Sequence, residues 1–237
     1  MIFAAGLGTR LSEITRFKPK ALVEINGIPL IEAIIRRLIS FGYDDMIINI
    51  HHFADQIEDF IRMKNQFGIK ISFSDERGNL LDTGGGLKHA SWFFDDGKPF
   101  LVHNVDVISN IDLDALRDFH RRSGAMATLA VRTRKSSRQL HFNLQNLLCG
   151  WENNTSGEKK IVIPGPYSSF GFSGIQIINP GIFRLMTEDG KFGIIDVYLR
   201  LSSHYKINAF VHDDDHWIDV GNPENITKAE NLLRNFF

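Results

Sequence analysis

Two hydrophobic rhythms alternate along the first half of this chain. Short apolar runs of four or five residues, Ile2–Ala5, Met46–Ile50, Ile69–Phe73, Phe100–His103 and Ala127–Val131, have the length and β-branched content of buried strands. Between them the apolar residues recur three and four apart. Leu30, Ile31, Ile34, Ile35, Leu38 and Ile39 predict a helix that begins after the Asn26-Gly27 turn, with Pro29 at its start, and stops at Gly42. Further helices are predicted over Ala54–Gln66, Gly86–Phe94 and Asp112–Ser123, with a partial one over Thr9–Phe17, ended by Pro19, before an extended Ala21–Ile25. Strands alternating with helices of this length imply right-handed crossovers, and hence an α/β fold with a doubly wound, mainly parallel sheet.

After Thr133 the rhythm breaks. Residues 134–170 are basic and polar, contain ENNTSGEKK and the turn-rich PGPYSS, and predict an inserted β-rich flap. Strand Phe172–Ile178 follows, then helical stretches at Gly181–Met186 and Asp196–Ser202, strands Ile207–Val211 and His216–Val220, and a closing helix from Pro223. With no repeat, low-complexity tract or linker, residues 1–237 read as a single domain whose halves meet near residue 133.

Composition narrows the function classes. The 237 residues carry 27 basic and 28 acidic side chains, a net charge of −1, so no global field draws in nucleic acid or an acidic membrane. A lone cysteine, Cys149, excludes an internal disulfide and a CxxC metal site. Without a charged leader or a long apolar run, the expectation is a cytoplasmic protein. The 19 phenylalanines are scattered through predicted strands and helices and read as core.

Any phosphate chemistry must therefore be local, and the opening AAGLGTRL is the first place to look. Glycines at 6 and 8 let a backbone turn sharply and approach an anion, while Arg10 and Lys20 supply charge. A dinucleotide fingerprint needs a third glycine where this chain has Leu11, which weakens an NAD-linked oxidoreductase reading, and no Walker loop occurs. On its own the G-x-G leaves a plain tight turn open. AAGLGTRL followed by KPKALVEINGIPLI, however, resembles the G-x-G-T-R…P-K signature of the sugar-1-phosphate nucleotidyltransferases. DTGGGL at 82–87, VHNVDV at 102–107, FSGIQIINP at 172–180 and WIDVGNPE at 217–224 resemble further blocks of that family in the same order, the flap matching only loosely.

The resemblance implies a Rossmann-like fold of the nucleotide-diphospho-sugar transferase type and the joining of a sugar 1-phosphate to an NTP, with release of pyrophosphate. It assigns Ala5, Gly6, Gly8 and Thr9 to the triphosphate, Arg10 and Lys20 to catalysis, and Asp82, Thr83, Gly84 and Gly85 to the nucleotide base. Asn104, Ser173, Gly174 and Asp196 fall to the sugar, and Asp106 and Asp219 to Mg²⁺. Those residue types suit the task, because two repelling anions must be held together and charge on the transferring phosphoryl stabilised. Taken alone, Asp106 and Asp219 could equally cap a helix or close a turn, and Arg10 and Lys20 could be solvated cations. The blocks look most like bacterial N-acetylmuramate 1-phosphate uridylyltransferases and mannose-1-phosphate guanylyltransferases, which makes UTP the first expectation and GTP the next. A non-catalytic nucleotide-sugar-binding regulator of the same fold is the alternative. His51-His52 reads as a loop pair, Asp213–Asp215 as a solvated turn, and Arg132, Arg134, Lys135 and Arg138 as an exposed charged hairpin, with an anionic sugar as the other reading of that cluster. The oligomeric state is left open.

Overall fold

The computed structural model describes residues 1–11 and 13–233. Ser12, inside the helix expected over Thr9–Phe17, lies outside the described residues; Thr9–Leu11 form a single 3₁₀ turn. The chain divides into two compact units that are interleaved in sequence. Residues Met1–Leu80, His103–Ile111 and the segment from His216 make the first, and Leu81–Val102 with Asp112–Asp215 the second. They are not successive halves meeting near residue 133. The reason is strand pairing: Ile2 lies beside His103 in a parallel ladder, and Trp217–Asp219 pairs with Val107–Ser109, so three distant stretches build the first unit.

That unit is a parallel α/β layer. Strand Ile2–Phe3 sits between Asp45–Ile50 and the end of Phe100–Asn104, and Asp45–Ile50 pairs in parallel with Lys70–Asp75. Five of the six residues of Asp45–Ile50 are buried, as the run MIINI, apolar but for Asn49, requires of a strand covered on both faces. Helix Leu30–Ser40 buries Leu30, Ile31, Ile34, Ile35 and Leu38 on one side, each worth about 1.5–3 kcal/mol relative to exposure. Helix Ala54–Met63 packs its Ile57 and Ile61 the same way.

The second unit is mixed. Ala127–Arg132 runs parallel to Ile207–Val211 and antiparallel to the twelve-residue strand Tyr167–Ile178. The expected flap is an antiparallel meander in which Arg138–Asn143, Leu148–Asn153 and Lys159–Ile161 pair in turn, with Tyr167–Phe170 closing on Arg138–Asn143. Helices Leu113–Ser123 and Ile194–Leu201 complete it, the first capped by the Asp112 carboxylate on the N–H groups of Asp114 and Ala115. The helix expected over Gly86–Phe94 begins earlier, at Asp82, and ends at His89.

Candidate active site

In the first unit the strand Ile2–Phe3 ends in the glycine turn. Its start is set by a residue the motif reading missed: Asn49 Oδ1 accepts from the backbone N–H of Ala4 at 2.7 Å and of Ala5 at 3.3 Å, while its amide donates to Glu76 Oε1 at 2.8 Å. Asn49 and Glu76 are both buried. A polar residue inside MIINI is the sequence signal that could have found them. The Ala5 amide, expected to face the triphosphate, is thus shared with Asn49.

The two glycines differ in what they owe to the fold. Gly8 has φ +65°, and a Cβ there would press on Thr15 Cγ2 at 3.0 Å and Lys20 Cβ at 3.3 Å; the Gly8 carbonyl accepts from Leu11 N–H and Thr15 Oγ1. A Cβ at Gly6 would meet no atom within 4 Å, and Gly6 carries no left-handed φ. Its lack of a side chain therefore answers to no demand of the surrounding protein. Thr9 and Arg10 are exposed just beyond.

Four expected charged residues come together in this unit. Lys20, nearly buried, forms an ion pair with the Asp106 carboxylate. Arg10 lies 3.8 Å from Asp219 and against Gly221, whose absent Cβ leaves room for the guanidinium. The pairs are joined through the backbone: Asp219 is opposite Val107 in an antiparallel ladder, and Val220 N–H donates to the Asp106 carbonyl at 2.8 Å. Asp219 is further set by Gly221 N–H on its Oδ1 and by the Asn225 amide on its carbonyl, both at 2.7 Å. Asn104 is in register with Phe3, beside the strand that leads into the glycine turn. Close in sequence to Asp106, His103 is fully buried, donates from Nδ1 to the Asn104 carbonyl at 2.8 Å, and is pushed down to about 4 by burial, so it is neutral at physiological pH.

The remaining expected residues lie in the second unit. Asp82, at φ +62°, starts a helix, and Thr83 Oγ1 accepts from Ile194 N–H at 3.0 Å, tying this turn to the helix that carries Asp196. Gly84 and Gly85 are corrected from the sequence reading. Both are buried in the first turn of the helix, and both amides donate to the Phe192 carbonyl, at 2.9 and 3.2 Å, so they are not open to a base edge. A Cβ at Gly84 would enter the Phe192 ring and one at Gly85 the Gly190 carbonyl, which explains the glycines as packing residues. Ser173 is buried and its hydroxyl meets His212 Nε2 at 2.7 Å; Gly174 has φ +74°, within a register shift of the ladder between Phe172 and Gln176. Asp196 is exposed and pairs with Lys160 at 3.3 Å. The Asp213–Asp215 turn is bonded rather than merely solvated: Thr133 N–H and Oγ1 donate to the Asp213 carboxylate at 2.6 and 2.8 Å, and Arg132 donates to the Asp213 and Asp215 carbonyls.

Comparisons with known proteins give the family. Residues 1–142 match the family model described as nucleotidyl transferase. The chain belongs to the nucleotidyl transferase family. An N-acetylmuramate alpha-1-phosphate uridylyltransferase of Caulobacter vibrioides is 30% identical over 239 residues, covering 98% of this chain and 96% of that protein. A UTP–glucose-1-phosphate uridylyltransferase of a Synechocystis strain is 36% identical over 234 residues, covering 93% of this chain but only 59% of its own length. A solved UDP-glucose pyrophosphorylase complexed with UDP-glucose superposes with a TM-score of 0.77 at 18% identity, covering 100% of this chain and 98% of that one, and shows the fold alone. The resemblance read from the motifs is borne out: this member of the nucleotidyl transferase family is an enzyme of the sugar-1-phosphate nucleotidyltransferase class.

Proposed function

We propose that the chain catalyses Mg²⁺-dependent transfer of a nucleotidyl group from an NTP to a sugar 1-phosphate, giving an NDP-sugar and pyrophosphate. UTP with N-acetylmuramate 1-phosphate is the favoured pair, supported by the near full-length relative from Caulobacter vibrioides; GTP with mannose 1-phosphate is next, by the motif resemblance. The single observation that carries the reading is the cluster of Arg10, Lys20, Asp106 and Asp219 held together by one antiparallel ladder. A plain structural salt bridge has no need of two cations and two carboxylates beside an open glycine turn.

The donor set fits a hard divalent ion. Asp219, at the end of the ladder, and Asp106, the residue before its partner strand, offer carboxylate oxygens, and no group of three or more His, Cys, Asp or Glu side chains is gathered for a metal among the described residues. Two carboxylates leave most of the coordination sphere to water and phosphate oxygens, as Mg²⁺ prefers. Bound there, the ion would neutralise phosphate charge. The protein's own residues do the rest. Leu7–Arg10 amides and the unhindered Gly6 receive the triphosphate; Arg10, with its planar fork, holds the leaving phosphates, and the compact Lys20 ammonium exchanges Asp106 for a phosphate oxygen of the reacting pair. The acceptor phosphate is already anionic, so no general base is required, and the work is alignment and charge stabilisation. In the second unit Asp82 and Thr83 take the base-side role, with Gly84 and Gly85 serving to seat that turn, and Ser173, Gly174 and Asp196 are assigned to the sugar; Asn104, in the first unit, is assigned to the sugar as well.

The test is pyrophosphate release with Mg²⁺ across each common NTP and a panel of sugar 1-phosphates. Turnover with one pair, abolished by chelation, is expected; binding of the same ligands without turnover would favour a sensor over an enzyme.

A further inference from the structure

Strand Ile2–Phe3 stops after two residues, and a side chain of the neighbouring strand is the cause. The parallel ladder places Phe3 opposite Asn49, and the next residues, Ala4 and Ala5, are buried but no longer strand. Both of their N–H groups donate to one oxygen, Asn49 Oδ1, at 2.7 and 3.3 Å. Successive N–H groups of an extended strand point to opposite sides, so a single oxygen collects both only where the backbone has already begun to turn. Asn49 thus ends the ladder and starts the loop.

The same bonds fix which way the Asn49 amide faces. Two backbone donors require the oxygen on their side, which leaves the nitrogen to donate to Glu76 Oε1 at 2.8 Å. Glu76 is in turn pinned just past strand Lys70–Asp75: its N–H donates to the Ile50 carbonyl at 2.8 Å, and its carbonyl accepts from His51 Nδ1 at 2.7 Å. Both side chains are buried, out of reach of a ligand. Directly beyond the clamp the pattern reverses. Among the described residues, no backbone N–H from Gly6 to Arg10 donates to another residue. A row of free donors therefore begins one residue after the last amide that Asn49 holds.

We propose that Asn49 and Glu76 are positioning residues for nucleotide binding: the clamp holds the first bend so that the free amides of Gly6–Arg10 converge on the triphosphate. The inference rests on the placement of the triphosphate at this turn, proposed above. Neither residue touches substrate. A donor row fixed before the ligand arrives needs no ordering on binding, whereas a turn released from Asn49 must be ordered by the nucleotide itself, which weakens NTP binding and leaves that of the acceptor unaltered.

The experiment follows pyrophosphate release by initial rates, varying NTP and acceptor separately, and takes NTP affinity by calorimetry on the same folded variants. Asn49→Ala removes the oxygen and should raise KM and Kd for the NTP about tenfold, while KM for the acceptor stays within about twofold. Asn49→Ser, with a shorter oxygen and less lost volume, gives the same reading if the alanine variant does not fold. Asn49→Asp sets two carboxylates face to face and should do at least as much. Combining Asn49→Asp with Glu76→Gln puts a donor opposite an acceptor again: one carboxylate oxygen keeps the two N–H groups and the other accepts from the new amide. That exchange should bring KM for the NTP back to within about threefold of wild type. A merely structural pair would lower Tm and the active fraction without an NTP-selective change in KM. An NTP affinity unchanged in Asn49→Ala, a rise shared by both substrates, or a double variant no better than Asn49→Asp overturns the proposal. Wild-type protein that binds NTP but releases no pyrophosphate overturns the proposed reaction alone, since calorimetry still reads the clamp. No NTP binding by wild type overturns both.

Discussion

Replacing Asp106 by Asn probes the charged cluster through stability and turnover at once. The Lys20 side chain is only 9% exposed and its partner Asp106 21%. Removing one member of a fully buried pair costs about 3–5 kcal/mol, because an uncompensated charge is left behind, whereas exposed pairs are worth about 0–1 kcal/mol. This pair lies between those limits, and Asn keeps an oxygen that accepts from the ammonium, so about 2 kcal/mol is expected. For a chain of this size that corresponds to a fall in Tm of about 4–8 °C. Lys20→Met removes the buried charge itself, so Asp106→Asn in that background should cost little, giving a coupling of about 2 kcal/mol in the double-mutant cycle. Turnover should fall at least about a hundredfold in either single variant, near 2.7 kcal/mol of transition-state stabilisation. Thermal unfolding followed by circular dichroism and pyrophosphate release on the same preparations measure both. Additive stabilities, or full activity in the Asp106→Asn protein, would refute the assignment of this pair.

Other predictions separate glycines that serve the fold from the one proposed to serve a ligand, and titrate the buried histidines. Gly6→Ala, which meets open space, should leave Tm within about 1 °C yet lower kcat/KM for the NTP about tenfold or more, whereas Gly8→Ala, at φ +65° against Thr15, should destabilise. Gly84→Ala forces a methyl into the Phe192 ring and should cost about 1–3 kcal/mol in urea unfolding; an unperturbed midpoint would remove the packing explanation. His103 and His212 are each depressed to about 4 from 6.5, by burial first and by the charges of Arg37 and Arg132 respectively. The unfolded chain then binds protons the folded one refuses between those values. Stability is full above pH about 6.5 and is lost as pH falls toward about 4, by up to about 2 kcal/mol per histidine at pH 5, and His212→Gln should flatten the profile.

The parallel half of the fold was legible because its strands are buried on both faces and its helices carry a clean 3.6-residue stripe: Met46–Ile50 and Leu30–Ile39 lie within a residue or so of their expected ends. The glycine turn, Arg10, Lys20, Asp106 and Asp219 were legible as a motif, and the structure adds the ladder between Val107 and Asp219 that unites them. What escaped is what depends on distant partners. The helix start at Asp82 hides behind three glycines, and the amides and missing side chains of Gly84 and Gly85 answer to Phe192 and Gly190, more than a hundred residues away. Asn49, holding Ala4 and Ala5, looks like a stray polar residue in a strand until Glu76 is placed beside it. The two-unit division follows strand pairing, which crosses the chain order and leaves no mark in composition.

The proposed function puts transfer of a nucleotidyl group to a sugar 1-phosphate on the Arg10–Lys20–Asp106–Asp219 cluster. Incubation with NTP labelled at the α-phosphorus and the preferred acceptor should place label in an NDP-sugar, at a rate cut at least about a hundredfold in the Asp106→Asn, Asp219→Asn double variant. Label moving equally fast in wild-type and double variant would remove the cluster from the chemistry.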